Sequence, residues 1–515
     1  MNCYQIKISE NIVSLAMIIF FFHTLAHMIS PAFILSLILG YFFILITISY
    51  YTGREDSNKE FFTANRNSPW YLVAFGMVGA SLSGVTFISV PGWIKTSEFS
   101  YLQVVLGYMV GYFVVAYVLL PVYYKNQVTS IYEYLNTRLG KNSHLAGALF
   151  FFISRVLGAA FRLFLVAIVL QQFIFDSWSV PFEVTVILSI LLIWVYTQRG
   201  GIKTIVWTDT IQTSLMILAV FLSIVYINKE LEWSMIDFLK SAKFKEYNSV
   251  WVTDSFFARN HFLKSFIGGM FITICMTGLD QDMMQKNLSC RTLKDAQKNM
   301  MVFSVVLVVV TGLFMLLGAL LYIYAEKEGI ALPMMDGKAK SDLLFPEIAL
   351  NGNLGLGVGI TFILGLIAAA YSSADSALTS LTTSFCVDFL SLEKKDQKTQ
   401  KSIRKKTHVG MSVLLVLVVI AFKYILDENV IDSLLTVAGY TYGPLLGLFA
   451  FGIFTDYTIK DKYVWIVVFT SVIISSILGG IEASVIGGYQ IGYELLPLNG
   501  IFTFLGLILI RSKQN

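Results

Sequence analysis

The chain has 515 residues, of which 56% are hydrophobic and 14% are charged, and its formal net charge is +4. Soluble domains are about a quarter charged, so this composition excludes a large soluble globule and predicts an all-α polytopic membrane protein. The small net charge, without a long basic surface, argues against nucleic acid as a partner. The four cysteines form no C-x-x-C pair, which argues against a disulfide framework and a zinc site.

Thirteen apolar runs are predicted to cross the membrane as helices, because backbone groups in lipid must be paired within their own segment. They lie near residues 31–51, 70–92, 100–122, 144–174, 178–197, 202–227, 262–284, 299–325, 353–388, 408–425, 430–454, 463–480 and 496–511. We expect one transmembrane domain over 31–511 and a short cytoplasmic tail at 512–515. Residues 1–30 are expected to be an extension without a transport role. The alternatives are an extra helix, a signal-like segment, or a natural start at Met28.

Lysine and arginine residues concentrate in alternate short loops, and in short loops such residues favour the cytoplasmic side. These loops lie around residues 54–66, 125–141, 199–203, 286–298, 394–406, 460–462 and 511–513. The pattern predicts a multi-pass protein of the cell (inner or plasma) membrane with a cytoplasmic C-terminus.

The second apolar run contains many glycine, serine and threonine residues between positions 76 and 86, and Pro91 follows them. A helix of this composition is easily broken, and unwinding frees backbone carbonyls to bind a hard cation. Close helix packing through small residues is an equally good explanation of this segment.

The fourth and sixth runs carry charged residues, which are costly inside a membrane and usually mark a pathway. Arg155 and Arg162 are seven residues apart and share a helix face, where they either snorkel or meet an anion. Asp209 lies two turns inside the sixth run with Gln212 and Thr213 on its face. The alternative for Asp209 is a position near headgroup depth.

The ninth run carries a polar stripe at positions i, i+3, i+4 and i+7, formed by Ser372, Asp375, Ser376 and Thr379. Serines in membrane helices often bond only their own preceding carbonyls. A carboxylate in the same stripe needs a partner, however, and a cation is the simplest one. We therefore expect this face to be functional.

With these residues the chain resembles the sodium/solute symporter family, which includes sodium/glucose, sodium/proline and sodium/sialic acid symporters. The resemblance extends over nearly all of 31–511. Its most specific segments are 200–212, 280–286, 369–373 and 439–444. It implies a leucine-transporter-type fold of about thirteen helices, with two inverted five-helix repeats at about 70–227 and 262–454, acting as a monomeric transport unit.

The resemblance also implies Na⁺ as the coupling ion. The first site would be formed by the backbone carbonyls of Gly79, Leu82 and Ala369 and the hydroxyls of Ser372 and Ser373. The second site would be formed by Asp209, Ser372, Asp375 and Ser376. Asp375 is a carboxylate where the sialic acid members carry a hydroxyl. This difference leaves open both a tighter sodium site and a proton-linked one.

For the solute, the resemblance implies contacts with Ser81, Ser83, Thr86, Gln103, Arg155, Asp280 and Gln281. Arg155 falls close to the carboxylate-binding arginine of sialic acid members, and Arg162 is the alternative counterpart. A guanidinium donates two parallel hydrogen bonds to a carboxylate. We therefore expect an acidic solute, either a sialic acid or a smaller monocarboxylate.

Together these features predict a sodium-coupled symporter that imports this solute by alternating access with one or two Na⁺ per cycle, and not an enzyme. A monoanion with one Na⁺ gains nothing from the membrane potential, whereas a second Na⁺ gains ~2.3 kcal/mol per 100 mV. The alternatives are a proton-coupled or sodium-independent carrier of the same fold and a sugar symporter. The chain has no H-E-x-x-H or G-x-S-x-G motif of an intramembrane enzyme.

Overall fold

The structure is a computed structural model that describes residues 31–53, 56–335, 338–352, 354–392, 395–425 and 430–512. The predicted extension at 1–30 and the last three residues of the predicted tail lie outside the described residues.

The described residues are mainly helical. In chain order the α-helices are α1 (Pro31–Thr52), α2 (Asn58–Thr63), α3 (Trp70–Ser81), α4 (Gly84–Ser97), α5 (Tyr101–Val114), α6 (Leu120–Asn126), α7 (Glu133–Arg138), α8 (Lys141–Leu170), α9 (Phe182–Thr197), α10 (Ile202–Glu230), α11 (Met235–Lys240), α12 (Ala242–Lys245), α13 (Phe262–Thr273), α14 (Gln281–Leu288), α15 (Leu293–Glu328), α16 (Leu344–Asn351), α17 (Leu356–Ser384), α18 (Gln397–Ile425), α19 (Val430–Phe454), α20 (Val464–Gly479) and α21 (Leu495–Leu509).

Short irregular elements join these helices. Four π-helical segments extend α5, α8, α13 and α17, at Val115–Leu119, Gln171–Phe175, Ile274–Gly278 and Phe385–Phe389. Single 3₁₀ turns lie at Ala64–Arg66, Asp176–Trp178, Ser341–Leu343 and Asp461–Tyr463. Two antiparallel strand pairs are formed by β1 (Met334–Met335) with β2 (Lys338–Ala339), and by β3 (Thr458–Ile459) with β4 (Arg511–Ser512).

The helices are long and apolar enough to cross a membrane repeatedly. Within the described ranges, nine spans are continuous and two more are helix pairs bent at a break. The two shorter apolar helices are α9 and α21. All of these elements coincide in position with the apolar runs predicted from the sequence.

The first bent span consists of α3 and α4, which meet at 54°. Leu82 and Ser83 separate them, and Ser83 has φ −29° and ψ 173°, outside the helical region. The last turn of α3 therefore contains carbonyls without the partners that a continuous helix would supply. Small residues are required here, because a Cβ at Gly84 would lie 2.5 Å from Val166 Cγ2.

The second bent span consists of α13 with its π-helical extension and α14, which meet at 63°. Asp280 begins α14 as its N-cap, where its Oδ1 accepts hydrogen bonds from the backbone N–H groups of Asp282 (2.9 Å) and Met283 (3.3 Å). The two bent spans lie at the start of the two predicted repeats.

Helix α17 lies at the centre of the bundle and packs against α8, α10 and both halves of the first bent span. Every residue from Gly365 to Ser384 is buried. The polar residues on this helix therefore face protein, and each of their oxygens must find a partner inside the bundle.

Candidate ion and solute site

The unwound segment between α3 and α4 faces the polar part of α17. A Cβ at Gly84 would lie 3.9 Å from the Cα of Ala370, one residue after Ala369 and two before Ser372. Ser372, Ser373 and Ala369 are fully buried, and Leu82 is nearly so. The structure thus places the break in the first bent span beside the segment of α17 that carries Ala369, Ser372 and Ser373.

Several oxygens on α17 are buried and have no hydrogen-bond partner among the described residues. They are Ser373 Oγ, Asp375 Oδ1, Ser376 Oγ and Thr379 Oγ1. An unsatisfied buried polar group costs ~1–3 kcal/mol, so four on one helix require an explanation. Hydroxyl, carboxylate and carbonyl oxygens are the ligands of hard cations. The residues present therefore fit Na⁺.

Asp209 already has a cationic partner inside the protein. Lys286 Nζ donates to Asp209 Oδ2 at 2.7 Å, and Ser372 Oγ donates to Asp209 Oδ1 at 2.6 Å. Both charged side chains are buried, so the ion pair ties α10 to α14 in an environment of low dielectric constant. Lys286 belongs to the segment 286–298, which the sequence predicts to be a cytoplasmic loop, and this pair was not predicted.

Asp375 belongs to a separate contact. Tyr196 on α9 donates its hydroxyl to Asp375 Oδ2 at 2.7 Å, and Oδ1 has no partner in the part of the chain that the structure describes. Ser376, the next residue, also has a free hydroxyl oxygen. Of the three residues predicted only for the second sodium site, Asp375 and Ser376 thus keep unused oxygens, whereas Asp209 is engaged by Lys286.

A cavity of about 130 Å³ opens at the break in the first bent span. One water needs ~10–15 Å³, so the space is suited to a small organic molecule. Its polar lining comes from Ser81, Ser83, Thr86, Tyr101, Tyr108, Tyr112, Arg155, Arg162, Thr273, Thr277 and Thr311. Four of the seven residues predicted to contact the solute are in this lining: Ser81, Ser83, Thr86 and Arg155.

The other three predicted solute residues do not line the cavity. Gln103 donates to the carbonyls of Ser100 (3.1 Å) and Asn260 (3.3 Å). Gln281 donates to a loop carbonyl at 2.9 Å and accepts from a backbone N–H at 2.9 Å. Asp280 caps α14 and accepts a hydrogen bond from the Tyr442 hydroxyl at 2.6 Å. The hydrogen-bonding groups of all three side chains are used within the protein.

The two arginines in the lining have different partners. Arg155 donates to Asp282, and its other terminal nitrogen lies 3.9 Å from Asp280 Oδ2. Arg162 forms no ion pair with any described residue, whereas the Nε atoms of both arginines lack a hydrogen-bond partner there. Both guanidinium groups are largely buried. Arg162 is therefore the cation in this cavity that still needs an anion, since a buried charge is generally paired.

Comparisons with known proteins agree with this architecture. A model of the sodium:solute symporter family matches residues 61–460. The chain is 25% identical to the sodium/sialic acid symporter NanT of Aliivibrio fischeri, over 79% of each protein. It is also 25% identical to the sodium-coupled monocarboxylate transporter 1 of Xenopus laevis, over 78% of this chain and 64% of that one.

A solved structure shows the same arrangement of helices. It is a Na⁺-coupled sialic acid symporter in a substrate-bound, outward-open state, with a TM-score of 0.77 at 19% identity. The match covers 93% of this chain and 99% of that chain. This likeness confirms the predicted leucine-transporter-type fold.

Proposed function

Because the chain belongs to the sodium:solute symporter family, a family of multi-pass membrane transporters, we propose that it imports a small acidic organic solute together with Na⁺. The observation that carries the nature of the solute is Arg162. It is a buried guanidinium in a hydroxyl-lined cavity, and no ion pair with a described residue neutralises it. A solute carboxylate would supply the missing charge and accept two parallel hydrogen bonds.

The solute we propose carries one carboxylate and several hydrogen-bonding groups. Ser81, Ser83 and Thr86 line one wall of the cavity, and three tyrosines and three threonines complete its polar surface. A sialic acid or a smaller monocarboxylate has this chemistry. Relatives named for sialic acid and for monocarboxylates support the same class.

We propose that the first Na⁺ binds where the unwound segment faces α17. Its ligands would be the carbonyls of Gly79, Leu82 and Ala369 and the hydroxyls of Ser372 and Ser373. The partnerless Ser373 Oγ supports this assignment. Neutral oxygens hold the ion weakly enough for its release on the cytoplasmic side.

A second Na⁺ would use Asp375 Oδ1 and Ser376 Oγ, which are also partnerless. We propose that Asp209 belongs to this site through Ser372, whose hydroxyl donates to its Oδ1, while Lys286 balances its charge. With two Na⁺ and one monoanion, each cycle would move one net positive charge inward.

The proposal includes a monomeric transport domain over 31–511 in the lipid bilayer, with the C-terminal tail in the cytoplasm. Lysines and arginines in alternate short loops support this orientation. The breaks at the start of the two repeats are the positions at which helices can bend during alternating access.

The test is uptake into proteoliposomes of labelled N-acetylneuraminate and labelled lactate, with Na⁺ or K⁺ outside. We expect uptake of at least one of them to require Na⁺. Arg162→Gln should abolish it, whereas Arg259→Gln, a change outside the cavity lining, should not. Uptake that is equal in Na⁺ and K⁺ would favour the proton-coupled or sodium-independent alternative. Uptake of glucose but of neither acid would favour the sugar symporter.

A further inference from the structure

Two arginines line the cavity, and only Arg162 lacks an ion-pair partner among the described residues. Among the described residues of the lining, Arg155 and Arg162 are the charged side chains. One terminal nitrogen of Arg155 donates to Asp282, a residue of α14 that does not itself line the cavity, so the charge of Arg155 is already balanced within the protein. Asp282 is 127 positions away from Arg155 in the sequence and is nearly inaccessible to solvent.

The four charged side chains at and beside the cavity have a net charge of zero before any solute binds. Arg155 and Arg162 contribute two positive charges, and Asp280 and Asp282 contribute two negative ones; Asp280 lies 3.9 Å from Arg155. A monocarboxylate takes this group to one negative charge. A dicarboxylate takes it to two negative charges in a buried region, where repulsion between like charges is strong.

We propose that Asp282 is a specificity-determining residue that restricts the site to solutes with a single carboxylate, by balancing the charge of Arg155. This inference rests on the proposed function, because it assumes that a carboxylate binds to Arg162. Selection of this kind is exclusion by charge. The second carboxylate of a dicarboxylate adds to the negative charge of the site, and no second guanidinium without an ion-pair partner lines the described part of the cavity.

Asp282→Asn tests the inference, because asparagine keeps the size of the side chain and an oxygen acceptor but removes the charge. The variant with a bound dicarboxylate then has the same net charge as the parent with a bound monocarboxylate. We expect the affinity for malate relative to lactate, and for succinate relative to butyrate, to rise by about tenfold or more, which corresponds to 1.4 kcal/mol. Thermal-shift titrations of the purified protein in Na⁺ measure both ratios.

A merely structural role for Asp282 would lower the affinities for both acids of a pair together and leave their ratio unchanged. That result would overturn the inference. Asp342→Asn is the matched control, since it removes another carboxylate with a buried oxygen, Oδ1, at a residue that does not line the cavity. Its affinity ratios should equal those of the parent.

Two further measurements keep the inference falsifiable if Asp282→Asn does not fold. The parent itself should bind monomethyl succinate about tenfold more tightly than succinate, two acids of similar length that differ by one charge. Equal affinities, or exclusion of both acids, would contradict selection by charge. The double variant Arg155→Met/Asp282→Leu removes the pair without changing net charge, and buried pairs are often replaceable in this way. It should still bind monocarboxylates and still exclude dicarboxylates.

Failure of the inference and failure of the proposed function give different results. If the parent binds no monocarboxylate, the proposed function is wrong. If the parent binds monocarboxylates and Asp282→Asn gains no preference for dicarboxylates, only the role of Asp282 is wrong. Loss of monocarboxylate binding in the folded double variant would make Arg155 the anchor of the solute and overturn the inference.

Discussion

Ser373→Ala separates a sodium ligand from an ordinary buried serine, because Ser373 Oγ has no hydrogen-bond partner among the described residues. Without Na⁺, the change removes an unsatisfied polar atom whose burial costs ~1–3 kcal/mol. The variant should therefore be at least as stable as the parent in K⁺. With Na⁺, it loses one of the five proposed ligand oxygens.

The expected size of the sodium effect follows from ligand linkage. At a Na⁺ concentration of about 100 times the Kd, bound Na⁺ stabilises the parent by ~2.7 kcal/mol. If loss of the hydroxyl weakens binding by about a hundredfold, stabilisation at the same concentration falls to ~0.4 kcal/mol. The midpoint of a Na⁺ titration should move by the same factor.

The assay is thermal unfolding of the detergent-solubilised protein across a Na⁺ titration at constant ionic strength. Ser380→Ala is the matched control, because Ser380 lies on the same helix and donates to the carbonyl of Ala377 at 3.0 Å. The control should titrate with the parent. A Ser373→Ala midpoint equal to that of the parent, or a variant unstable in K⁺ as well, would refute the assignment of Ser373 as a ligand.

Three further predictions concern charge, packing and pH. Asp209→Asn leaves the Lys286 ammonium buried without its partner, so the free energy of unfolding, measured by chemical denaturation, should fall by ~3–5 kcal/mol. The double variant Asp209→Asn/Lys286→Met should recover most of this lost stability. Gly79→Ala should abolish folded protein in size-exclusion chromatography, since its Cβ would overlap a hydroxyl of α10, whereas Gly158→Ala, with open space at the Cβ, should behave as the parent. Burial raises the pKa of Asp342, which lies in the loop before α16, so ionisation of this side chain destabilises the folded state. The thermal stability of the parent should therefore rise as the pH falls from neutral towards the raised pKa of Asp342. Asp342→Asn should be more stable than the parent at neutral pH and should lack this pH dependence. A fall in stability of the parent on mild acidification, not shared by Asp342→Asn, would contradict the last of these.

Much of the fold was predictable because local sequence determines it. Apolar runs must form helices in lipid, and each predicted run coincides with an element of the structure. The break between α3 and α4 was also suggested locally, by the small residues around Gly79 and Gly84. The polar face of α17 followed from helical spacing alone, and its buried, partnerless oxygens agree with that prediction.

The pairing of charges was not predictable, because it depends on contacts between distant segments. Lys286 is 77 positions from Asp209, and the rule for positive loop residues placed it outside the membrane core. The spacing of Arg155 and Arg162 showed that they share a helix face, but not that Asp282 neutralises one of them. The sequence did contain one signal for the first pair. Lys286 directly follows a predicted span, and Asp209 is an aspartate inside another span with no partner assigned to it.

Gln103, Asp280 and Gln281 illustrate the same limit. A family motif identifies positions but not what each side chain bonds to, and in this chain their polar groups bond to backbone atoms and to Tyr442. Only the assembled bundle distinguishes an amide that closes a loop from one that faces a cavity.

The most direct test of coupling is whether a solute gradient alone moves sodium. Proteoliposomes are loaded with equal radioactive Na⁺ on both sides and the membrane potential is clamped at zero, and then N-acetylneuraminate or lactate is added outside. We expect radioactive Na⁺ to accumulate inside when the transported acid is added, and this accumulation to be lost in Ser373→Ala and Arg162→Gln. Entry of the acid without any movement of Na⁺ would contradict this expectation.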